Sequence, residues 1–348
     1  MTATKAGPQP ILSICVPTFQ REKWIVSLIE QFDREMRDVA MSDVEVCIID
    51  NASGDEFWAF LTKIKQERDW LRIQRNRLNV GIEGNIIQSL LASRAIYTWL
   101  LSDHQKLRPG VLRQTLALLR EHQPDLVCMA LKAWRLPLRE SLQIIRLGDL
   151  SIKERSALLF TFGNMSTELF RSELARDHMR LAVRISWFNY PNMAFVRSWK
   201  TDTTVIQVPD ATELPELVKG SLLKKSYDPF EASFINNLEC ISRLMAGSEL
   251  SWSRRHFQNP DYIRALGVQI ILIWIGDIDR HDRVFFQLLR AVWVNRVAYG
   301  AGVCSLLCGA GALISLLPRG LRTAAAKVVL TVGAPHSQIL VELNQRRG

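Results

Sequence analysis

Over its first 130 residues the chain alternates short apolar runs with amphipathic stretches, and this alternation most constrains what it can fold into. Ile11 to Val16 (ILSICV) is almost wholly apolar, as a strand buried on both faces must be. Trp24, Ile25, Leu28, Ile29, Phe32 and Met36 then recur at helical spacing. The cycle repeats with a strand over Val44–Ile49 and a helix marked by Phe57, Trp58, Leu61 and Ile64. It repeats again with a strand over Leu71–Gln74 and a helix marked by Ile86, Ile87, Leu90, Leu91 and Ala95. Tyr97–Leu101 reads as a fourth strand and Leu126–Ala130 as a fifth. Between them Pro109 is expected at the first turn of a helix. Strands that alternate with helices imply a parallel or mostly parallel sheet with helices on both faces.

Beyond residue 135 the pattern loosens. Leu158–Phe162 and Val205–Val208 read as short strands, Glu168–Met179 as partly helical, and 211–290 as mainly helical. The expected division is a domain over 1–210, with halves at 10–130 and 131–210, followed by a helical C-terminal region over 211–348. Val297–Leu317 holds 21 residues without a charge, between Arg290 and Arg296 on one side and Arg319, Arg322 and Lys327 on the other. Such a segment has the length of a bilayer core. It reads either as a buried pair of core helices or as a monotopic or re-entrant contact with anionic lipid.

Charge follows the same asymmetry. The net charge is +9, made up of 0 over residues 1–125 (16 basic, 16 acidic), +3 over 126–248 (16 and 13) and +6 over 249–348 (12 and 6). Basic charge gathered beside an apolar segment points to a membrane surface rather than to nucleic acid. Cys15, Cys47 and Cys128 sit inside apolar runs as small buried hydrophobes, and no CxxC occurs. The opening MTATKAGPQP has no apolar signal-peptide core, so the expected location is cytoplasmic, with peripheral contact at the inner face of the membrane.

Ligands of open α/β sheets bind beyond the carboxyl ends of the strands. The four junctions there read Pro17-Thr18-Phe19-Gln20-Arg21, Asp50-Asn51-Ala52-Ser53-Gly54-Asp55, Asn76 to Asn85, and Ser102-Asp103-His104-Gln105. Each has a plain structural reading. Thr18 suits a helix N-cap, the Asp50 segment an Asx turn, Gly81 and Gly84 backbone at positive φ, and Asp103 another cap. No GxGxxG follows a strand, no GxxxxGK[ST] is present, and no glycine follows the first strand, against a dehydrogenase, a P-loop enzyme and a sugar nucleotidyltransferase.

In order and spacing, SICVPTFQR, IIDNASGD, NVGIEGN and YTWLLSDHQKLRPG resemble the family 2 glycosyltransferases over residues 10–130. Segments such as Gly163–Arg171 and Tyr190–Asn192 are similar to the branch that includes abequosyltransferase-type enzymes. The resemblance implies the GT-A fold, the mostly parallel α/β sheet of nucleotide-diphospho-sugar transferases. It implies an inverting transfer of sugar from a nucleotide-diphosphate sugar to a hydroxyl of a lipid-linked or polysaccharide-precursor acceptor. Pro17, Thr18 and Arg21 would line the nucleotide pocket, and Asp50 and Asn51 would meet the base. Asn79, Gly81 and Asn85 would shape the loop over the nucleotide, and Asp103 would hold the ribose or a metal shell. The base that takes the acceptor proton is expected in the second half, from Glu168, Asp177, Asp202 or Asp210, with Glu168 preferred.

The chain departs from the pattern at its acidic triplet, which reads Asp103-His104-Gln105. A glutamine amide is a poor ligand for Mg²⁺ or Mn²⁺. Three outcomes stay open: Asp103 and His104 hold a softer ion such as Mn²⁺, Lys106 or Arg108 supplies positive charge instead, or the protein is a non-catalytic nucleotide-binding or scaffold relative.

Overall fold

The computed structural model describes residues 9–131, 144–151, 154, 155, 158, 162, 165–185 and 191–213. They all lie in the first of two compact units, Met1–Ser226 with Ser248–Leu250. The segment 297–317 and the expected helices beyond 213 lie outside the described residues.

In chain order the strands are β1 (Leu12–Thr18), β2 (Val44–Asp50), β3 (Leu71–Arg75), β4 (Tyr97–Leu100), β5 (Lys106–Leu107), β6 (Leu126–Leu131), β7 (Ile145–Arg146), β8 (Glu168–Arg171) and β9 (Thr204–Glu213). The helices are α1 (Glu22–Glu35), α2 (Asp55–Gln66), α3 (Gly81–Ala92), α4 (Val111–His122), α5 (Ser172–Asp177) and α6 (Met179–Ile185). One sheet runs β3-β2-β1-β4-β8-β6-β9-β5, with β7 against β9. The first four strands are parallel, as the alternation demands. The fifth strand of the sequence reading, β6, does not join β4. The short β8 is inserted between them antiparallel to both, so the second half of the sheet is mixed.

The inserted strand fixes directions. With β8 reversed, β6 again runs parallel to β4, and β9 runs parallel to β6. The carboxyl ends of β1, β2, β3, β4, β6 and β9 and the start of β8 therefore share one edge.

β1 is buried along its whole length at the sheet centre. Pro17 is tolerated there because Cys15 accepts from Leu101 N on the β4 side. Strand alternation points Pro17 the same way, past the end of the β4 pairing, where no ladder bond is lost. Helix α1 buries Ile25, Leu28, Ile29 and Phe32 along one stripe, each worth roughly 1.5–3 kcal/mol of apolar transfer. Cys15, Cys47 and Cys128 are free thiols buried in the sheet. Burial pushes the Cys47 thiol up to about 11 and Cys15 and Cys128 upward as well.

Three local expectations are corrected. Pro109 lies outside α4. Gly110 takes φ +75 before the helix, a conformation that only glycine adopts without strain. The helix start is instead capped from α1, where the buried Glu35 accepts from Gly110 N (2.7 Å) and Leu112 N (3.0 Å). Leu158 and Phe162 are helical, not extended. The strand expected over 205–208 is β9, which runs on past 210 to Glu213, so a boundary at 210 would cut a strand.

Candidate active site at the carboxyl edge of the sheet

The four junctions meet. Thr18, the last residue of β1, donates its hydroxyl to Asp103 Oδ2 at 2.8 Å. It does not cap α1, whose N-cap is Arg21 without a side-chain bond. Arg21 Nη1 donates to Asp103 Oδ1 at 3.0 Å and contacts His104 Nδ1 at 3.2 Å. Ser102 Oγ lies 2.9 Å from the same ring nitrogen. Asp103 is thus no helix cap. It is a buried carboxylate that ties the end of β4 to the end of β1.

The β1 and β2 junctions join through Gln20 N, which donates to Ser53 Oγ at 2.8 Å. Both turns hold a non-glycine residue at positive φ, Gln20 at +54° and Ala52 at +60°. Such strain persists where surrounding contacts over-determine the backbone, and it concentrates at functional sites. Asp50 is fully buried, and its Oδ1 accepts from Ser53 N (3.1 Å), so the Asx-type turn is real. Its Oδ2 makes no hydrogen bond and faces Arg75 Nε at 3.4 Å.

Asn51 ties β2 to the loop after β3. Its amide donates to Asn79 Oδ1 (2.8 Å) and Gly81 O (3.1 Å), and its carbonyl accepts from Asn76 Nδ2 and Val80 N (both 3.0 Å). Asn85, on α3, reaches back to Ile49 O (3.1 Å) and Thr18 O (3.4 Å). Gly81 has φ +76, as expected. Gly84 does not have positive φ; it is helical, and a Cβ there would meet Val80 Cγ2 at 2.8 Å.

The nucleotide-side residues of the sequence reading therefore converge, but with different jobs. Pro17, Asn51 and Asn85 are buried and hold the junctions together. Arg21 and Asn79 are exposed at the edge. Ser53, Arg75 and Asn76 were missed. Ser53 stood inside a quoted motif, whereas nothing in the sequence marked Arg75, whose guanidinium reaches Asp50, Asp55 and the Ser53 carbonyl.

The acceptor-side candidates separate by topology. Asp177 follows β8 through α5, and Asp202 precedes β9, so both belong to the opposite edge. Glu168 begins β8 at the site edge but is 0 % exposed, and neither carboxyl oxygen makes a hydrogen bond. Burial raises its pKa well above the ordinary carboxylate value, with the nearby Asn192 amide opposing. Glu168 is thus enclosed in this structure, whereas a base must come within hydrogen-bond reach of the proton it takes. Asp210 is exposed, at φ +50, on a bulge where β9 steps from Val208, opposite Met129, to Thr212, opposite Leu131. Bulges beside active sites re-aim side chains.

The donor set does not fit a hard dication. Within the triplet only Asp103 and His104 are acidic or imidazole groups. Among the described residues no group of three or more His, Cys, Asp or Glu could hold a metal ion. Both Asp103 oxygens already accept, one from a guanidinium, and His104 Nδ1 lies 3.2 Å from the same guanidinium and 3.3 Å from Asp103 Oδ1. Gln105 is buried, and its backbone carbonyl faces Gln31 Nε2 at 3.5 Å.

This arrangement, an α/β sheet with polar junctions wired along its carboxyl edge, is the GT-A fold. Residues 13–173 match the model for glycosyl transferase family 2. The chain is 26 % identical over 98 residues to abequosyltransferase RfbV of Salmonella typhimurium (strain LT2), a stretch spanning 28 % of this chain and 29 % of that protein. In fold it is similar to S. aureus TarS 1–349, with a TM-score of 0.58 at 15 % identity over 93 % of this chain and 92 % of that one. The TarS complexes with UDP and with UDP-GlcNAc superpose with TM-scores of 0.55 at the same identity and coverage.

Proposed function

We propose that the protein is a glycosyltransferase that binds a nucleotide-diphosphate sugar along the carboxyl edge of β1–β4 and passes the sugar, with inversion, to a hydroxyl of a lipid-linked or saccharide acceptor. The observation that carries this reading is Asp103, a buried carboxylate held by Thr18 and Arg21 where four crossover junctions converge. Its remaining lone pairs suit ribose hydroxyls, since a carboxylate only accepts. Asp50, fully buried with Oδ2 facing Arg75 Nε at 3.4 Å, would meet the N–H of a base once that contact opens. The exposed loop from Arg77 to Ile82, anchored by Asn51, would close over the nucleotide.

In this reading Asp210 takes the proton of the attacking hydroxyl. Of the four carboxylates considered it alone is both exposed and on the site edge. The similar RfbV is named an abequosyltransferase, and TarS has been crystallised with UDP-GlcNAc, which supports a sugar nucleotide as donor. The basic, apolar C-terminal sequence favours an acceptor at a membrane face. Among the described residues no helix is long and apolar enough to cross a membrane.

A second reading, a nucleotide-binding protein without catalysis, is favoured by the Asp-His-Gln triplet alone. Thermal shift against a panel of nucleotide sugars tests the donor site, since a ligand that binds only the native state raises its melting temperature. A rise with at least one donor is expected. Asp210→Asn should then retain that rise and lose transfer. Flat melting curves across the panel would contradict the proposal.

A further inference from the structure

The residues that a metal would need at this edge are already committed to a fixed cation. Arg21 spends only Nη1 on Asp103 and His104. Its Nε and Nη2 make no hydrogen bond or ion pair among the described residues. The side chain is 47 % exposed while its Asp103 partner is 5 % exposed, so the guanidinium is pinned at one corner and open elsewhere. Arg21 is also the N-cap of the 14-residue helix α1, whose dipole presents positive charge at the same place.

The other cations near the triplet are engaged elsewhere. Lys106 pairs with Glu213 at 2.8 Å, across the β5–β9 ladder. The Arg108 guanidinium donates to Gln114. Arg75 is held by Asp50 and Asp55. Of these side chains, Arg21 is the one whose guanidinium touches the triplet.

We infer that Arg21, held by Asp103 and His104, meets the diphosphate of the donor in place of a divalent cation, so that nucleotide binding is independent of metal. The inference rests on the donor-site reading above. Its chemistry is that of a planar guanidinium fork against phosphate oxygens, which permits two parallel charge-assisted hydrogen bonds. Thr18 and His104 act as positioning residues for the fork. His104 Nδ1 lies 3.2 Å from Arg21 Nη1, 2.9 Å from Ser102 Oγ and 3.3 Å from Asp103 Oδ1, so the ring sits against both the guanidinium and its carboxylate partner.

The test is calorimetric titration of the full chain with UDP, GDP, CDP and dTDP, in chelator and then in Mn²⁺ or Mg²⁺. The expected result is a dissociation constant for the preferred nucleotide that agrees within twofold between chelator and metal. Arg21→Gln should weaken it about 10- to 100-fold in both conditions, the range of a lost charge-assisted bond pair. Arg21→Lys should fall between, because an ammonium keeps the charge and loses the fork. Because Arg21 is half-exposed, an unchanged melting temperature will verify that the variants fold. Binding that tightens tenfold or more with metal, or an Arg21→Gln variant that binds as wild type, overturns the inference and leaves the donor site standing. No binding of any nucleotide in any condition overturns the donor site, and this inference with it.

Discussion

Two polar regions lie on the same edge of the sheet and have opposite characters. Around Asp103, Asn51 and Asn85, nearly every donor and acceptor has a partner from another junction. Around Glu168 and Asn192, both carboxyl oxygens and the amide nitrogen are buried without a hydrogen bond. An aromatic cluster lies in the same part of the domain, with Phe195 stacked on Phe170 at 4.6 Å and within 5.7 Å of Phe162 and 6.2 Å of Trp199. The first region is a preorganised surface that a ligand can use without rearrangement. The second is an enclosed region where burial pushes the Glu168 carboxyl pKa upward. Partnered polar atoms, and not the mere presence of carboxylates, distinguish the site from the core.

Substitutions can break this contrast. The largest effect is expected from Phe195→Ala, which should cost about 3–5 kcal/mol of stability by opening a cavity, with nucleotide affinity unchanged. Denaturant unfolding and titration together check it, and a fall in affinity would mean that the two regions are coupled. Asn51→Ala should cost about 1–3 kcal/mol, since Val80 N, Asn76, Asn79 and Gly81 all lose a partner. Here affinity should fall with stability, because the loop over the nucleotide loses its anchor.

Glu168→Gln should act in the other direction, and only above mildly acidic pH. The folded pKa of Glu168 is raised, so the native state binds more protons than the unfolded chain once the pH passes the ordinary carboxylate value of about 4.3. Stability is then fully present below that value and is lost as the pH rises towards the folded pKa, by at most about 1.4 kcal/mol per unit. Glutamine carries no such penalty. Melting temperatures of the two proteins should coincide near pH 4 and diverge in favour of Glu168→Gln towards pH 7. Curves that stay superposed would mean that Glu168 is ionised in the fold.

The parallel half of the fold was legible because each strand is a run of buried apolar residues bounded by turn chemistry. The junction motifs were legible because Asp, Asn, Thr and Gly have few roles after a strand. The insertion of β8 between β4 and β6 was not. Glu168-Leu-Phe-Arg171 is four residues long, begins with a charge, and owes its strand conformation to ladders on both sides. The same insertion hides the state of Glu168, since no local pattern announces a glutamate that is enclosed by pairing. Pro109 misled for a related reason. It sits in a turn whose helix is capped by Glu35, 75 residues away in sequence. The role of Arg21 lay half in view: the motif named it, while its attachment to Asp103 and His104 is a contact across more than 80 residues.

Hydrogen exchange with and without a saturating nucleotide sugar tests most directly that the four junctions form one donor site. Slowed exchange is predicted together in the peptides covering 17–21, 50–54, 76–85 and 102–105, and not in the core around Phe195. Protection confined to one of these peptides, or found only elsewhere in the chain, would contradict a single site built from all four.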